Sequence, residues 1–232
     1  MHPEYLYNND TQDIAQRAEE LATCNEPALR EHCQEVSRQT DTSSLCLQKD
    51  CAVQVNAAGG ILSIIEEHLR KLSQLLLQNA GVFRTQNAKA DFSLVCKTVT
   101  ALEEERLRLL SLVGELTQSR RVIAQALAKN NQALHLLSLA KCAVGEDVRQ
   151  FYVEEAERIR ISYDRLTALD ADIREVQNFY MTFLESHMPA FMKRLREAAD
   201  FNHAGEALDS AAIRALCGEL FILCERVPNV SF

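Results

Sequence analysis

The sequence predicts an all-α protein: an elongated helical hairpin and coiled-coil bundle that ends in a short apolar docking helix. Three observations carry that expectation. Four Pro, seven Gly and no Trp in 232 residues, with Leu, Ala, Glu, Arg and Gln abundant, is a helical composition. Apolar residues recur at alternating three- and four-residue steps over long stretches. That register breaks once, at "LAKCAVGEDVRQFY" (139–152), where the chain can turn back on itself.

Residues 10–40 read as two short polar helices. Asp10 is placed to cap "TQDIAQRAEELATC", and "NEP" at 25–27 supplies a stop, a cap and a first-turn Pro for "ALREHCQEVSRQT". They fall within an acidic N-terminal segment, 1–44. Residues 1–60 hold ten acids against four bases, which accounts for −6 of the net charge of −8. Such a stretch repels phosphate and anionic lipid, so direct nucleic-acid binding and membrane contact are not expected of it, and a protein partner is.

A long-helix hairpin region, 45–203, comes next. Its first helix, 45–79, carries a seam from Cys51 through Val55, Ala58, Leu62, Ile65, Leu69, Leu72 and Leu76. Gly59-Gly60 inside it costs ~2 kcal/mol of helix stability, which predicts a kink or a helix start there. Gly81 closes the helix and "VFRTQNAKA" is a loop. Asp91 then caps a helix over 91–142. Its seam samples Phe92, Val95, Val99, Leu102, Arg106, Leu109, Val113, Leu116, Arg120, Ile123, Leu127, Asn130, Leu134, Leu137 and Lys141. Eleven of these fifteen are apolar against 47% in the chain, as a coiled-coil edge requires. At ~1.5 Å per residue that helix is ~75 Å long, hence the elongated form.

The same rhythm dies near Phe151, and a new phase runs through Val148, Tyr152, Glu155, Ile159, Ser162, Leu166, Leu169, Ile173, Val176, Tyr180 and Phe183. Gly145 suits a left-handed C-terminal residue, Lys141 a last turn, and Asp147 an N-cap. These signals favour a tight antiparallel hairpin between 91–142 and 147–187 over a continuous helix with a stutter. Pro189 then kinks the chain into a helix over 190–202. The last segment, 204–232, holds a helix over 209–226 capped by Asp209. Its Ile213, Leu216, Leu220, Phe221 and Leu223 cannot share one narrow stripe, which predicts burial on two sides and a docking role.

Catalytic and metal signatures are weak. Cys24, Cys33, Cys46 and Cys51 beside His32 invite a zinc reading, but structural sites use closer Cys pairs. Eight cysteines without an export signal read as reduced thiols of a cytoplasmic, intracellular protein. No histidine has Glu three positions before it, as a di-iron carboxylate bundle needs. Asp164, Asp170, Asp172 and Glu175 read as solvated acids rather than a magnesium site. Arg106, Arg108, Arg120 and Arg121 are interleaved with acids, and Lys193, Arg194 and Arg196 form a small basic cluster. No hydrolase or nucleotide-loop motif is present, so no cofactor and no metal is expected, nor an enzyme.

The function expected is that of a non-catalytic scaffold subunit in a multi-protein coiled-coil complex. Its partners would be other helical proteins in a hetero-oligomer. The partner-binding seams would use Leu62, Ile65, Leu69, Leu72 and Leu76; Val99, Leu102, Leu109, Val113, Leu116, Ile123, Leu127, Leu134 and Leu137; and Leu166, Leu169, Ile173 and Val176. Arg106, Arg120, Asn130 and Lys141 at seam positions would fix register and partner choice against matching acids. In style the chain resembles small coiled-coil subunits of spindle, kinetochore or other microtubule-associated complexes such as augmin, with any microtubule contact indirect. The alternatives are a membrane-trafficking tether or BAR-like helical module and, further off, a helical enzyme.

Overall fold

The computed structural model describes residues 26–80, 88–203 and 210–230. Over these residues the chain is all-α, with α1 (Glu26–Ala80), α2 (Ala88–Ala143), α3 (Glu146–Phe179), a π-helical segment (Tyr180–Glu185), α4 (Met188–His203) and α5 (Ser210–Glu225). The expected helix at 11–24, the Asp10 and Asp209 caps, Gly81 and most of the expected 82–90 loop lie outside the described residues. Asp91 does not start its helix, because α2 is already helical from Ala88.

α1 unites two helices that the sequence pattern separates. It begins at Glu26 with Pro27 in its first turn, where a missing N–H costs nothing, and runs unbroken across 44/45. The seam continues upstream of Cys51 through Gln48, Ser44, Ser37, Cys33 and Leu29, all buried. Because three of these five are polar, hydrophobic periodicity does not register them. Gly59-Gly60 neither starts nor interrupts the helix.

The chain divides into two compact units, each drawn from separate stretches: the described parts of Met1–Ala52 with Gln118–Ala171, and of Val53–Thr117 with Asp172–Phe232. In the first unit, Leu29 and Cys33 of α1, Leu136 and Leu137 of α2, and Tyr152 and Ile159 of α3 share one core. α2 and α3 are joined by Val144 and Gly145 alone. Arg120 Nε donates to Asp170 Oδ1 at 2.9 Å, and both residues lie 25 positions from Gly145, so the chain doubles back there. Gly145 is not left-handed as expected. Its φ lies outside that region, and its carbonyl accepts from Val148 N–H at 3.2 Å, which makes it the first cap of α3 rather than the last of α2. α3 starts at Glu146, so Asp147 sits inside the first turn instead of capping it.

The second unit buries Leu62, Ile65, Leu69, Leu72 and Leu76 of α1. From α2 it buries Val99, Leu102, Leu109, Val113 and Leu116, and from α3 Ile173 and Val176. Each fully buried Leu or Ile contributes roughly 1.5–3 kcal/mol by leaving water. The sequence pattern predicts a third long helix that stays α-helical to His187, but the helix widens to π geometry at Tyr180. Pro189 has no N–H to give, and regular α geometry would set its ring against the carbonyl of Glu185, the last residue of the π turn. Helical bonding resumes across the junction, with His187 N–H to Phe183 O and Phe191 N–H to His187 O. The buried positions run Val176, Phe179, Tyr180, Leu184 and Met188, so Leu184 and not Phe183 faces the core.

α5 buries one face, through Leu216, Cys217, Leu220 and Leu223. Arg194 of α4 grips Glu219 of α5 with both guanidinium nitrogens, and the Arg226 guanidinium lies 5.1 Å from the Phe183 ring centre. Past α5, the backbone of Val230 reaches α1 at Gly59, where a Cβ would stand 2.5 Å from the Val230 carbonyl oxygen.

Candidate functional site

The seams expected to bind partners are the chain's own core. Leu62, Ile65, Leu69, Leu72, Leu76, Val99, Leu102, Leu109, Val113, Leu116, Ile123, Leu137, Leu166, Leu169, Ile173 and Val176 are all buried within it, and only Leu127 and Leu134 are half-buried. A chain that folds back supplies the facing helices itself, so a heptad pattern reports the pairing without saying whose helix is paired.

The polar seam positions are matched in the same way. Arg106 is held by both Glu103 oxygens, and its Nη1 donates to Tyr180 OH at 3.3 Å; the Glu103 bond is the main reason its pKa is raised. Arg120 pairs with Asp170. Asn130, fully buried, donates through Nδ2 to Ser44 Oγ at 3.0 Å and to the Ala126 carbonyl. Lys141 is exposed. Three of the four therefore find their matching groups inside the chain, and the expected partner acids are Glu103 and Asp170.

Around Asn130 the first unit has a hydrogen-bonded interior layer. Ser37 Oγ donates to Glu155 Oε2 at 2.6 Å, Ser162 Oγ to Asp41, and Gln48 Nε2 to the Ser162 carbonyl. Buried polar groups cost free energy unless paired, so these residues act together to fix the register of α1 against α2 and α3. The Asn130 Oδ1 and Tyr152 hydroxyl atoms are buried without a hydrogen-bond partner.

The described thiols do not converge. Cys33 and Cys51 are buried and Cys46 is exposed, so the described members of the zinc group face different ways. Among the described residues no cluster of three or more His, Cys, Asp or Glu converges as metal ligands would. Burial pushes the Cys33 thiol up to about 12 and raises those of Cys51 and Cys217. At pH 8, iodoacetamide is expected to label exposed Cys46, Cys96 and Cys142 while sparing Cys33, Cys51 and Cys217, read by peptide mass spectrometry. The folded state keeps a Cys33 proton that the unfolded chain releases near its ordinary value of 9.0. That stabilisation is complete below pH 9 and is lost as pH rises toward about 12. Urea unfolding across that range should show the decline, and equal labelling of Cys33 and Cys46 would sink the assignment.

Nor do the charged groups converge. Asp170 is committed to Arg120, Asp164 is exposed, and the Asp172 carboxyl is raised first by burial and then by the charge of Glu175. In the C-terminal basic cluster Arg194 is tied to Glu219 and Lys193 lies 3.8 Å from Glu197, so both described cations have an acid partner; the Arg196 side chain lies outside the described ones.

The exposed apolar side chains lie off the seams. On α5, Phe221 and Ile222 are 60% and 52% exposed, on the face opposite Leu220 and Leu223. The expected burial of this helix on two sides is thus met on one; the Ile213 side chain lies outside the described ones. In the first unit a groove of ≈ 530 Å³ opens between α1 and α2. Val36, Thr40 and Leu47 stand on one wall and Val122, Ala126 and Ala133 on the other. Phe221 is among the docking residues read from the sequence, whereas periodicity does not single out the groove, whose residues fall outside the heptad positions. No described helix is long and apolar enough to cross a membrane. No protein-family model, curated protein or solved structure matches the chain.

Proposed function

We propose that this chain is a non-catalytic structural subunit of a multi-protein helical complex of the cytoskeletal, microtubule-associated kind. It would hold other helical proteins at a fixed spacing and touch microtubules only through them. The reading is supported by one observation above the others: α5 is anchored by one apolar face and by the Arg194–Glu219 pair, yet presents Phe221 and Ile222 to solvent on the other. Adjacent large apolar side chains on a pinned helix are the usual material of an interface core. Internally paired seams fit this role, because they make each unit a rigid spacer with its own register.

The test is a paired affinity purification of the full-length chain and a Phe221→Asp/Ile222→Asp variant from its own cells, with quantitative mass spectrometry. The unaltered chain is expected to retain a fixed, near-stoichiometric set of helical proteins. The variant should lose at least one of them by about tenfold or more while its unfolding curve is unchanged, since both side chains are exposed. Recovery of the unaltered chain alone, folded and monodisperse, would overturn the proposal.

A further inference from the structure

The groove between α1 and α2 has the dimensions and chemistry of a helix-binding site. Its α1 wall runs from His32 to Leu47 and its α2 wall from Leu136 back to Val122. Both walls advance in steps of three and four, so each is one continuous helix face. At ~1.5 Å per residue the groove is ~20 Å long, which is four turns of a third helix. The floor is made of aliphatic side chains of modest size, from Ala126 to Leu136, as close helix packing requires.

Its charge runs against that of the molecule. The chain has 33 acids to 25 bases, yet among the described residues no Asp or Glu lines the groove, whereas the cationic Lys129 does. Lys129 is exposed, and amide or hydroxyl groups of Gln125, Gln132 and Ser43 complete the rim. We infer that this groove binds an amphipathic helix of another protein, about four turns long, with an aliphatic face and carboxylates along its flank. The inference rests on the reading of the chain as an assembly subunit and names the kind of partner that one of its faces takes.

The test uses the full-length chain and two synthetic helical peptides of about 18 residues that share one Leu/Ala face. One peptide carries Glu along the flanks and the other Lys. Overall charge predicts that a net −8 protein prefers the Lys peptide, and the groove predicts the reverse. Fluorescence anisotropy is expected to show saturable one-to-one binding of the Glu peptide, about tenfold tighter than the Lys peptide. Lys129→Glu should weaken it by about fivefold, and Val122→Asp should weaken it comparably. Both positions are solvent-exposed, so neither change threatens the fold. Preference for the Lys peptide, equal binding of the two, or Glu-peptide binding that ignores both substitutions would overturn the inference. So would a concentration-dependent dimer in sedimentation that Val122→Asp abolishes, since the occupant would then be a second copy. Failure here with the protein set of the affinity purification intact would remove the groove alone. Peptide binding by a chain that purifies from cells without partners would remove the subunit reading and leave the groove.

Discussion

Leu69→Ala and Leu102→Ala are each expected to cost the isolated chain about 2–5 kcal/mol in urea unfolding, through lost transfer energy and the cavity left behind. Both side chains are fully buried, Leu69 on α1 and Leu102 on α2. Against a typical total of about 5–15 kcal/mol, either change removes much of the stability of its unit. Leu77→Ala, on the same helix but 56% exposed, should stay within about 0.5 kcal/mol. The contrast decides whose seam this is. A partner-facing seam would leave the isolated chain almost indifferent to Leu69→Ala, so a change below about 0.5 kcal/mol there would mean that the internal pairing is wrong.

Two adjacent glycines should respond in opposite directions. At Gly60 an added methyl meets nothing within 4 Å, so Gly60→Ala should stabilise α1 by about 1 kcal/mol, the ordinary helix-propensity gain. At Gly59 the same methyl would stand 2.5 Å from the backbone oxygen of Val230. A carbonyl held in the chain cannot rotate aside as a side-chain tip can. Gly59→Ala is therefore expected to cost about 1–3 kcal/mol despite its better propensity, by forcing the Val230 segment off α1. Faster proteolysis after α5 in Gly59→Ala but not in Gly60→Ala would locate the damage. Equal stabilisation by both would show that Val230 does not pack there.

The all-α class and most of the core are readable because aliphatic residues at three-four spacing identify a buried helix edge wherever the facing helix comes from. The phase taken up after Gly145 is the phase observed: Tyr152, Ile159, Leu166, Leu169, Ile173 and Val176 are all buried. The upstream half of α1 is not readable. Ser37, Ser44 and Gln48 look like a solvated face until Glu155, Asn130 and Ser162 are brought opposite them from more than 80 positions away. A polar core residue is recognised by its partner, and the partner belongs to tertiary structure. The same limit hides the exposed surfaces. Val36 and Val122 mean little singly, and they become two walls only when α1 and α2 run side by side. Phe221 lies on the helix the pattern assigns it to, but which of the α5 faces is covered depends on α4 and α1 and not on the α5 sequence.

The π-helical segment gives the chain a single-residue phase setting. Between Val176 and Met188 the buried positions are Phe179, Tyr180 and Leu184, and the six residues of the π turn hold one residue more than an α-helix would for nearly the same rotation. Deleting one residue within 180–185 would let the stretch relax to ordinary α geometry with the downstream chain nearly in phase, whereas forcing all six residues into α geometry would rotate that chain by about 100° about the helix axis. Phe191, Met192 and Leu195 would swing away from the core, and Arg194 away from Glu219. The wide turn thus absorbs one residue, and which way the C-terminal helices face depends on its being kept.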